Sequence, residues 1–342
     1  MRVVLERLLE REDLDEAGAG DVLRALAGGE VPAAMAGALL AALRAKGVVP
    51  VEVRGFASSM RALARRPELP ATAPAVDVVG TGGDASGSYN LSTGAALLVA
   101  AMGQPVVKHG NRSVSSRSGS ADLLEALGLP LPLDERGAGE CLAATGFTFL
   151  FAPHYHPAMK AIAPVRRDLG VRTVFNLLGP LTNPAEPPYG LIGAHSPATA
   201  RLMAETLAGL PIERVFVVHG EAGWDEATPV GPFELYDVRP GRVAREIRDP
   251  LHYGLARCTA TDLAGGEPAE NAAALRAVFE GRDRGAHRAA LLLNAALVLE
   301  VTGRVPSTVA GLEAAAAAID GGAAADLLRR LAAFGRDRAR AG

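Results

Sequence analysis

The chain has 342 residues, 49% of them hydrophobic, and a formal net charge of −3 with acidic and basic residues interspersed. That length can bury a large core and suggests a large domain plus a smaller one, while the charge balance gives no electrostatic footprint for nucleic acid. No run approaches the roughly 20 uncharged apolar residues of a membrane span, the start MRVVLERLLEREDL lacks the unbroken apolar stretch of a signal peptide, and two cysteines, Cys141 and Cys258, make no disulfide framework; a cytoplasmic protein with reduced thiols is expected.

The first ~70 residues read as helices only. VLERLLE sets Val4, Leu8 and Leu9 on one face, and AGDVLRALAGGE ends at a glycine pair. VPAAMAGALLAALRAKG opens with Pro32 and closes with Gly47 after Lys46, a start and stop in the right order. PVEVRGFASSMRALARR is a fourth helix, and the proline-rich RPELPATAP is a linker. Short β-branched runs then alternate with helical stretches: VDVV (Val76–Val79), QPVVKHG, FTFLF (Phe147–Phe151), YGLIGAH (Tyr189–His195) and RVFVVHG (Arg214–Gly220). Alternation of this kind implies a largely parallel sheet covered on both faces. FELYDVRPGRVAREI reads as a hairpin turning at Pro240-Gly241, and the chain is helical again from Pro268.

Chemistry concentrates in the loops after these strands. Gly80-Thr81-Gly82-Gly83-Asp84 follows VDVV directly. Its glycines let backbone N–H groups approach an anion and adopt positive φ. A strand, a glycine turn and a helix start together make the usual α/β phosphate cradle, although this one is neither GxGxxG nor a Walker loop. Asn90, Ser92 and Thr93 open the next helix, where a hydroxyl can cap and the helix dipole favours phosphate. Lys108-His109-Gly110-Asn111-Arg112-Ser113, running on to a second helix start at Ser120, adds cations, an amide and hydroxyls. Asp225-Glu226, shortly after RVFVVHG, suits Mg²⁺. His154 and His156 lack a third ligand at metal spacing, so zinc is rejected. Arg166 and Arg167 follow, and an arginine near a pocket could hold a substrate carboxylate by a two-pronged bond. The residues alone therefore indicate an α/β enzyme with a phosphate-rich, Mg²⁺-dependent substrate.

In this order the elements resemble the anthranilate phosphoribosyltransferase family: GTGGD at 80–84, NLST at 90–93, KHGNRSVSSRSGSADLLEALG at 108–128, HPAMKAIAPVRRDLGVRTVFNLLGPLTNPA at 156–185 and WDE at 224–226. The resemblance implies a small helical domain (1–72, with a returning segment near 168–186) joined to a larger α/β domain (73–167 and 187–342), a fold shared with pyrimidine nucleoside phosphorylases. It implies a homodimer paired through the helical domain, acting in tryptophan biosynthesis with no nucleic-acid or membrane partner. By the same resemblance, Gly80, Thr81, Gly82, Gly83, Asp84, Ser88, Asn90, Ser92, Thr93, Lys108 and Ser120 bind phosphoribosyl pyrophosphate. Gly80, His109, Asn111, His156, Met159 and Arg166 bind or line the path of anthranilate, and Lys108, Asn111 and Arg166 are the residues expected to drive catalysis. Ser92, Asp225 and Glu226 hold Mg²⁺. Trp224, Thr228 and Tyr89 stand where Leu, Ser and Phe are usual in the family, and none of the three removes an expected ligand. Two other readings share the fold. A pyrimidine nucleoside phosphorylase normally carries Lys-His-Ser where this chain has Lys108-His109-Gly110-Asn111. A non-catalytic nucleic-acid-binding relative fits poorly with intact loops and a negative charge.

Overall fold

The computed structural model describes residues 1–71, 74–83, 87–113 and 117–341. Four helices come first: α1 (Arg2–Leu9), α2 (Glu16–Gly28), α3 (Ala33–Lys46) and α4 (Pro50–Ala62). Next are β1 (Val76–Gly80), α5 (Leu91–Ala101), β2 (Val106–Gly110), α6 (Ser120–Ala126), α7 (Glu135–Thr145) and β3 (Phe147–Phe151). The middle of the chain holds α8 (Ala152–Tyr155), α9 (Met159–Leu169), α10 (Phe175–Leu178), β4 (Tyr189–Gly193), α11 (Pro197–Leu207) and β5 (Arg214–Gly220). A hairpin, β6 (Phe233–Arg239) and β7 (Arg242–Arg248), precedes α12 (Pro268–Phe279), α13 (Ala286–Val301), α14 (Thr308–Asp320) and α15 (Ala323–Ala341).

The punctuation read from sequence explains several of these limits. Pro32 is the N-cap of α3 and Gly47 closes it at φ +88°. Asp15 caps α2 by accepting from Gly18 N–H at 2.7 Å. Gly241 turns the hairpin at φ +69°. The expected apolar face of the first helix is corrected. Leu8 is buried and Val4 half-buried, but Leu9 is 63% exposed. Val4 and Leu8 are four residues apart and share a face, whereas Leu9 lies about 100° further round the helix.

The strands form one sheet in the order β3-β2-β1-β4-β5-β6-β7. Pairing is parallel from β3 to β5 and antiparallel at β5-β6 and β6-β7. β5 shows why the sheet is covered twice. Phe216 and Val218 enter the core beneath α5 and α13, while Val215 and Val217 enter the other core with α11 and the first four helices. A period of two sends alternate residues to opposite faces, so a strand buried on both sides reads as a continuous apolar run.

The chain returns to the first helices after α8. Ile162 of α9, with Val174, Phe175, Leu178 and Leu181, joins their core. Phe56 of α4 meets Phe175 edge-on at 6.3 Å, and Arg61 Nε donates to Leu181 O at 2.7 Å. The strand order reverses direction at β1: β2 and β3 build outward on one side, β4 and β5 on the other. Ligands of open α/β sheets bind outside the carboxyl ends of the strands at such a point. Among the described residues, no helix is long and apolar enough to cross a membrane.

Candidate active site

Gly80 ends β1 at this reversal. A β-carbon there would stand 2.4 Å from Asp225 Oδ2, so only glycine lets that carboxylate lie against the strand. Gly193, ending β4, admits the Asp225 carbonyl in the same way; its β-carbon would fall 1.5 Å from that oxygen. The loop is fastened by Gly220 N–H to Trp224 O at 2.9 Å and by Asn294 Nδ2 of α13 to Ala227 O at 2.8 Å. Asp225, only 7% exposed, accepts from Gly82 N–H at 2.7 Å, and Glu226 Oε2 accepts from Ser88 Oγ at 3.3 Å. Gly82 and Gly83 have φ of +66° and +75°, conformations that side-chain-bearing residues rarely adopt. The glycine turn and the Asp-Glu pair, far apart in sequence, thus share one place. Asp84 lies outside the described residues.

Lys108 on β2 is fully buried. Its Nζ donates to Val78 O and to Ser92 Oγ, the latter at 3.3 Å. Burial pulls its pKa down to about 8, while the carboxylates of Asp77, Glu226 and Asp225 pull it back up. Asp225 and Glu226, with the hydroxyls of Ser88 and Ser92 nearby, form a set of hard oxygen donors. Such a set fits Mg²⁺, which commonly takes one or two carboxylates and lets substrate phosphates complete its shell.

The start of α5 departs from expectation. No side chain caps it. Asn90 is the boundary residue, but its amide is engaged elsewhere: Nδ2 donates to Ser118 O at 3.0 Å, and Oδ1 accepts from Ser118 Oγ at 3.1 Å and Asn271 Nδ2 at 2.8 Å. Ser92 and Thr93 therefore sit inside the first turn. Thr93 is fully buried, and its hydroxyl has no partner among the described residues. α6 does begin at Ser120, and Asp122 accepts from Gly119 N–H at 2.9 Å and Ser113 N–H at 3.0 Å. Ser120 flanks Gly110, whose added β-carbon would lie 3.6 Å from Ser120 Cβ.

On the other side of Gly80 a cavity of about 440 Å³ opens between the ends of β1 and β2 and helices α9 and α10. Val79, Gly80, His109, Asn111, His156, Met159, Arg166 and Phe175 line it. His109 Nδ1 lies 3.1 Å from Gly179 O. A carbonyl only accepts, so Nδ1 carries the proton and Nε2 remains a buried acceptor with no partner among the described residues. Burial lowers the His109 pKa to about 3 and that of His156 to about 4. The two rings meet edge-on at 5.0 Å, and both are neutral at physiological pH. Arg166 of α9 lies 5.4 Å above the Phe175 ring, and burial lowers its pKa. No hydrogen bond or ion pair joins its guanidinium to a described residue. A guanidinium held over an aromatic ring in an apolar cavity is suited to a planar carboxylate.

Sequence reading missed three residues. Asp77, buried in β1, accepts from Asn183 Nδ2 at 2.8 Å and His109 N–H at 3.3 Å; burial raises its pKa to about 6. Asn183 Nδ2 also donates to Val107 O at 2.8 Å. The pair ties the cavity wall to the sheet, and an aspartate inside a β-branched run was the available signal. Arg172 donates to the carbonyls of Gly82 and Gly83 at 3.1 and 3.2 Å. Nothing in the local sequence marks it.

Comparison with known proteins fits this geometry. The family described as Glycosyl transferase family, helical bundle domain, matches residues 2–64, and Glycosyl transferase family, a/b domain, matches residues 72–325. The anthranilate phosphoribosyltransferase of Desulforudis audaxviator is 45% identical over 335 residues, 98% of this chain and 96% of that protein. The crystal structure of the Thermus thermophilus anthranilate phosphoribosyltransferase is 45% identical with a TM-score of 0.90, covering 97% of this chain and 99% of the other. A solved structure of the Saccharomyces cerevisiae anthranilate phosphoribosyltransferase, in complex with PRPP and Mg, is 25% identical with a TM-score of 0.88, covering 98% of each chain.

Proposed function

The chain belongs to the anthranilate phosphoribosyltransferase family, and we propose that the cleft around Gly80 is where its reaction takes place. The enzyme transfers the 5-phosphoribosyl group of phosphoribosyl pyrophosphate to the amine of anthranilate and releases pyrophosphate, with Mg²⁺, in tryptophan biosynthesis. One observation supports this choice of cleft above the others. Gly80 borders both an apolar cavity whose arginine no described residue pairs and the carboxylate of Asp225.

In this reading the glycine turn (Gly80, Thr81, Gly82, Gly83 and Asp84), Ser88, Asn90, Ser92, Thr93, Lys108 and Ser120 take the phosphoribosyl pyrophosphate. Asp225, Glu226 and Ser92 would hold Mg²⁺, which when bound neutralises charge on the pyrophosphate. Arg166 and Asn111 orient anthranilate through its carboxylate, while His109, His156 and Met159 shape the wall. Breaking the bond at the ribose C1 leaves negative charge on the leaving group. Lys108 and the backbone N–H groups, already fixed in place, stabilise it without reorganising. The attacking amine is neutral at pH 7, so no strong base is needed and positioning supplies a large part of the rate.

The helical part (1–72 with 168–186) would pair two copies, and the remainder (73–167 and 187–342) would bind phosphoribosyl pyrophosphate, in the cytoplasm. Met1, Val3 and Leu9 at the start of the chain are apolar and exposed, which is compatible with cover by a second copy. Sedimentation at a dimer's mass is the expected result. The reaction is tested by following anthranilate fluorescence with purified protein, phosphoribosyl pyrophosphate and Mg²⁺. Loss of signal requiring all the components is expected; no loss in a folded protein would overturn the reading.

A further inference from the structure

Arg172 lies in the short segment between α9, which carries Arg166, and α10, which carries Phe175. Its backbone is tied to the helical part, where Arg44 Nη1 donates to Arg172 O at 2.7 Å. Its side chain reaches the other way. Nη2 donates to Gly82 O at 3.1 Å, Nη1 to Gly83 O at 3.2 Å, and Nη2 stands 3.5 Å from His195 Nδ1 at the end of β4. The approach needs a glycine, because a β-carbon at Gly83 would stand 2.1 Å from Nη1.

A trans peptide unit is planar, with its N–H opposite its C=O. Fixing the Gly82 carbonyl toward Arg172 therefore fixes the Gly83 N–H to point away from it. Asp225 holds the Gly82 N–H of the same turn. The turn is thus fastened on two sides, by a carboxylate from the α/β part and by a guanidinium from the segment beside the aromatic cavity.

We propose that Arg172 is a positioning residue for the phosphoribosyl pyrophosphate half of the reaction, setting the direction of the Gly83 N–H in the glycine turn. This rests on the reading of that turn as the pyrophosphate loop. A planar fork can bridge two carbonyls, whereas an ammonium is a point donor. Replacement should therefore act on one substrate and leave the other nearly untouched.

The test is steady-state kinetics of the full chain with Mg²⁺, varying each substrate in turn, for wild type, Arg172→Met and Arg172→Lys, beside thermal unfolding. Arg172→Met keeps the stem and removes the donors. Its KM for phosphoribosyl pyrophosphate is expected to rise about tenfold, with the anthranilate KM within about twofold. The unfolding midpoint is expected to stay within about 3 °C of wild type, and Arg172→Lys to recover part of the loss. Unmoved KM values, or an equal rise in both, would overturn the inference. Should Arg172→Met fail to fold, Arg172→Lys decides by the same split. A folded wild type that consumes no anthranilate overturns the functional reading and this inference together, whereas an active wild type with unmoved variants overturns the inference alone.

Discussion

The two halves of the cleft are made from opposite materials. On the side of Asp225 the polar groups hold one another: Gly82 N–H on Asp225, Ser88 on Glu226, Lys108 on Ser92 and Val78 O. On the side of Arg166 the wall is apolar, two histidines are neutral, and one guanidinium rests on a ring. A site for a polyanion and a metal needs charges and donors whose mutual bonding keeps them in place before the ligand arrives. A site for a flat aromatic acid needs a dry, shaped space and one well-aimed cation. Gly80 is where the two designs touch: its missing side chain makes room for Asp225, and the residue also lines the cavity.

The largest expected effect falls on the polar half. Asp225→Ala removes a carboxylate expected to hold the metal and the acceptor of Gly82 N–H; kcat/KM should fall at least about 10³-fold. Titration with Mg²⁺ checks this, and an unchanged metal response would sink the metal assignment. Gly80→Ala is the substitution that should break the division itself. Its β-carbon would push into the Asp225 carboxylate, and the displaced strand end also lines the cavity, so kcat/KM for both substrates should drop about 10²-fold; loss for one substrate alone would mean the halves do not meet there. Arg166→Ala should sharpen the division, raising the anthranilate KM about 50-fold and leaving that for phosphoribosyl pyrophosphate nearly unchanged. Equal effects on both would count against the arginine's role.

The smallest effect is one of pH. His109 titrates near 6.5 unfolded and about 3 folded. Between those values the unfolded chain binds the extra proton, so stability falls as pH drops through the window. Asp77 opposes this between 3.8 and about 6, since its folded pKa is the higher one. His109→Gln should therefore flatten the fall by up to about 1.4 kcal/mol per pH unit between pH 4 and 6, read from denaturant unfolding. An unaltered slope would place a charged histidine in the cavity.

What was legible and what was not divides along range. Helices, strands, the hairpin at Gly241 and the stop at Gly47 follow from periodicity and from residues whose backbone preferences are local, and these emerged from the chain in order. Leu9 was misread because a run of leucines does not say which of them meets a neighbour. The chemistry of the loops was also legible, since glycines, carboxylates and a lysine after buried strands signal a phosphate site and the long motifs signal the family. Their partnerships were not. Nothing local says that the amide of Asn90 lies between Ser118 and Asn271, and Asp77 passed for one residue of a strand until Asn183 and His109 were found upon it. The sequence by itself determined the kinds of groups and the order of the elements. The strand order, with its reversal at β1, decided which of them meet, because bringing Gly80, Asp225, Arg166 and Arg172 to one place depends on contacts between residues far apart in the chain, which no local preference encodes.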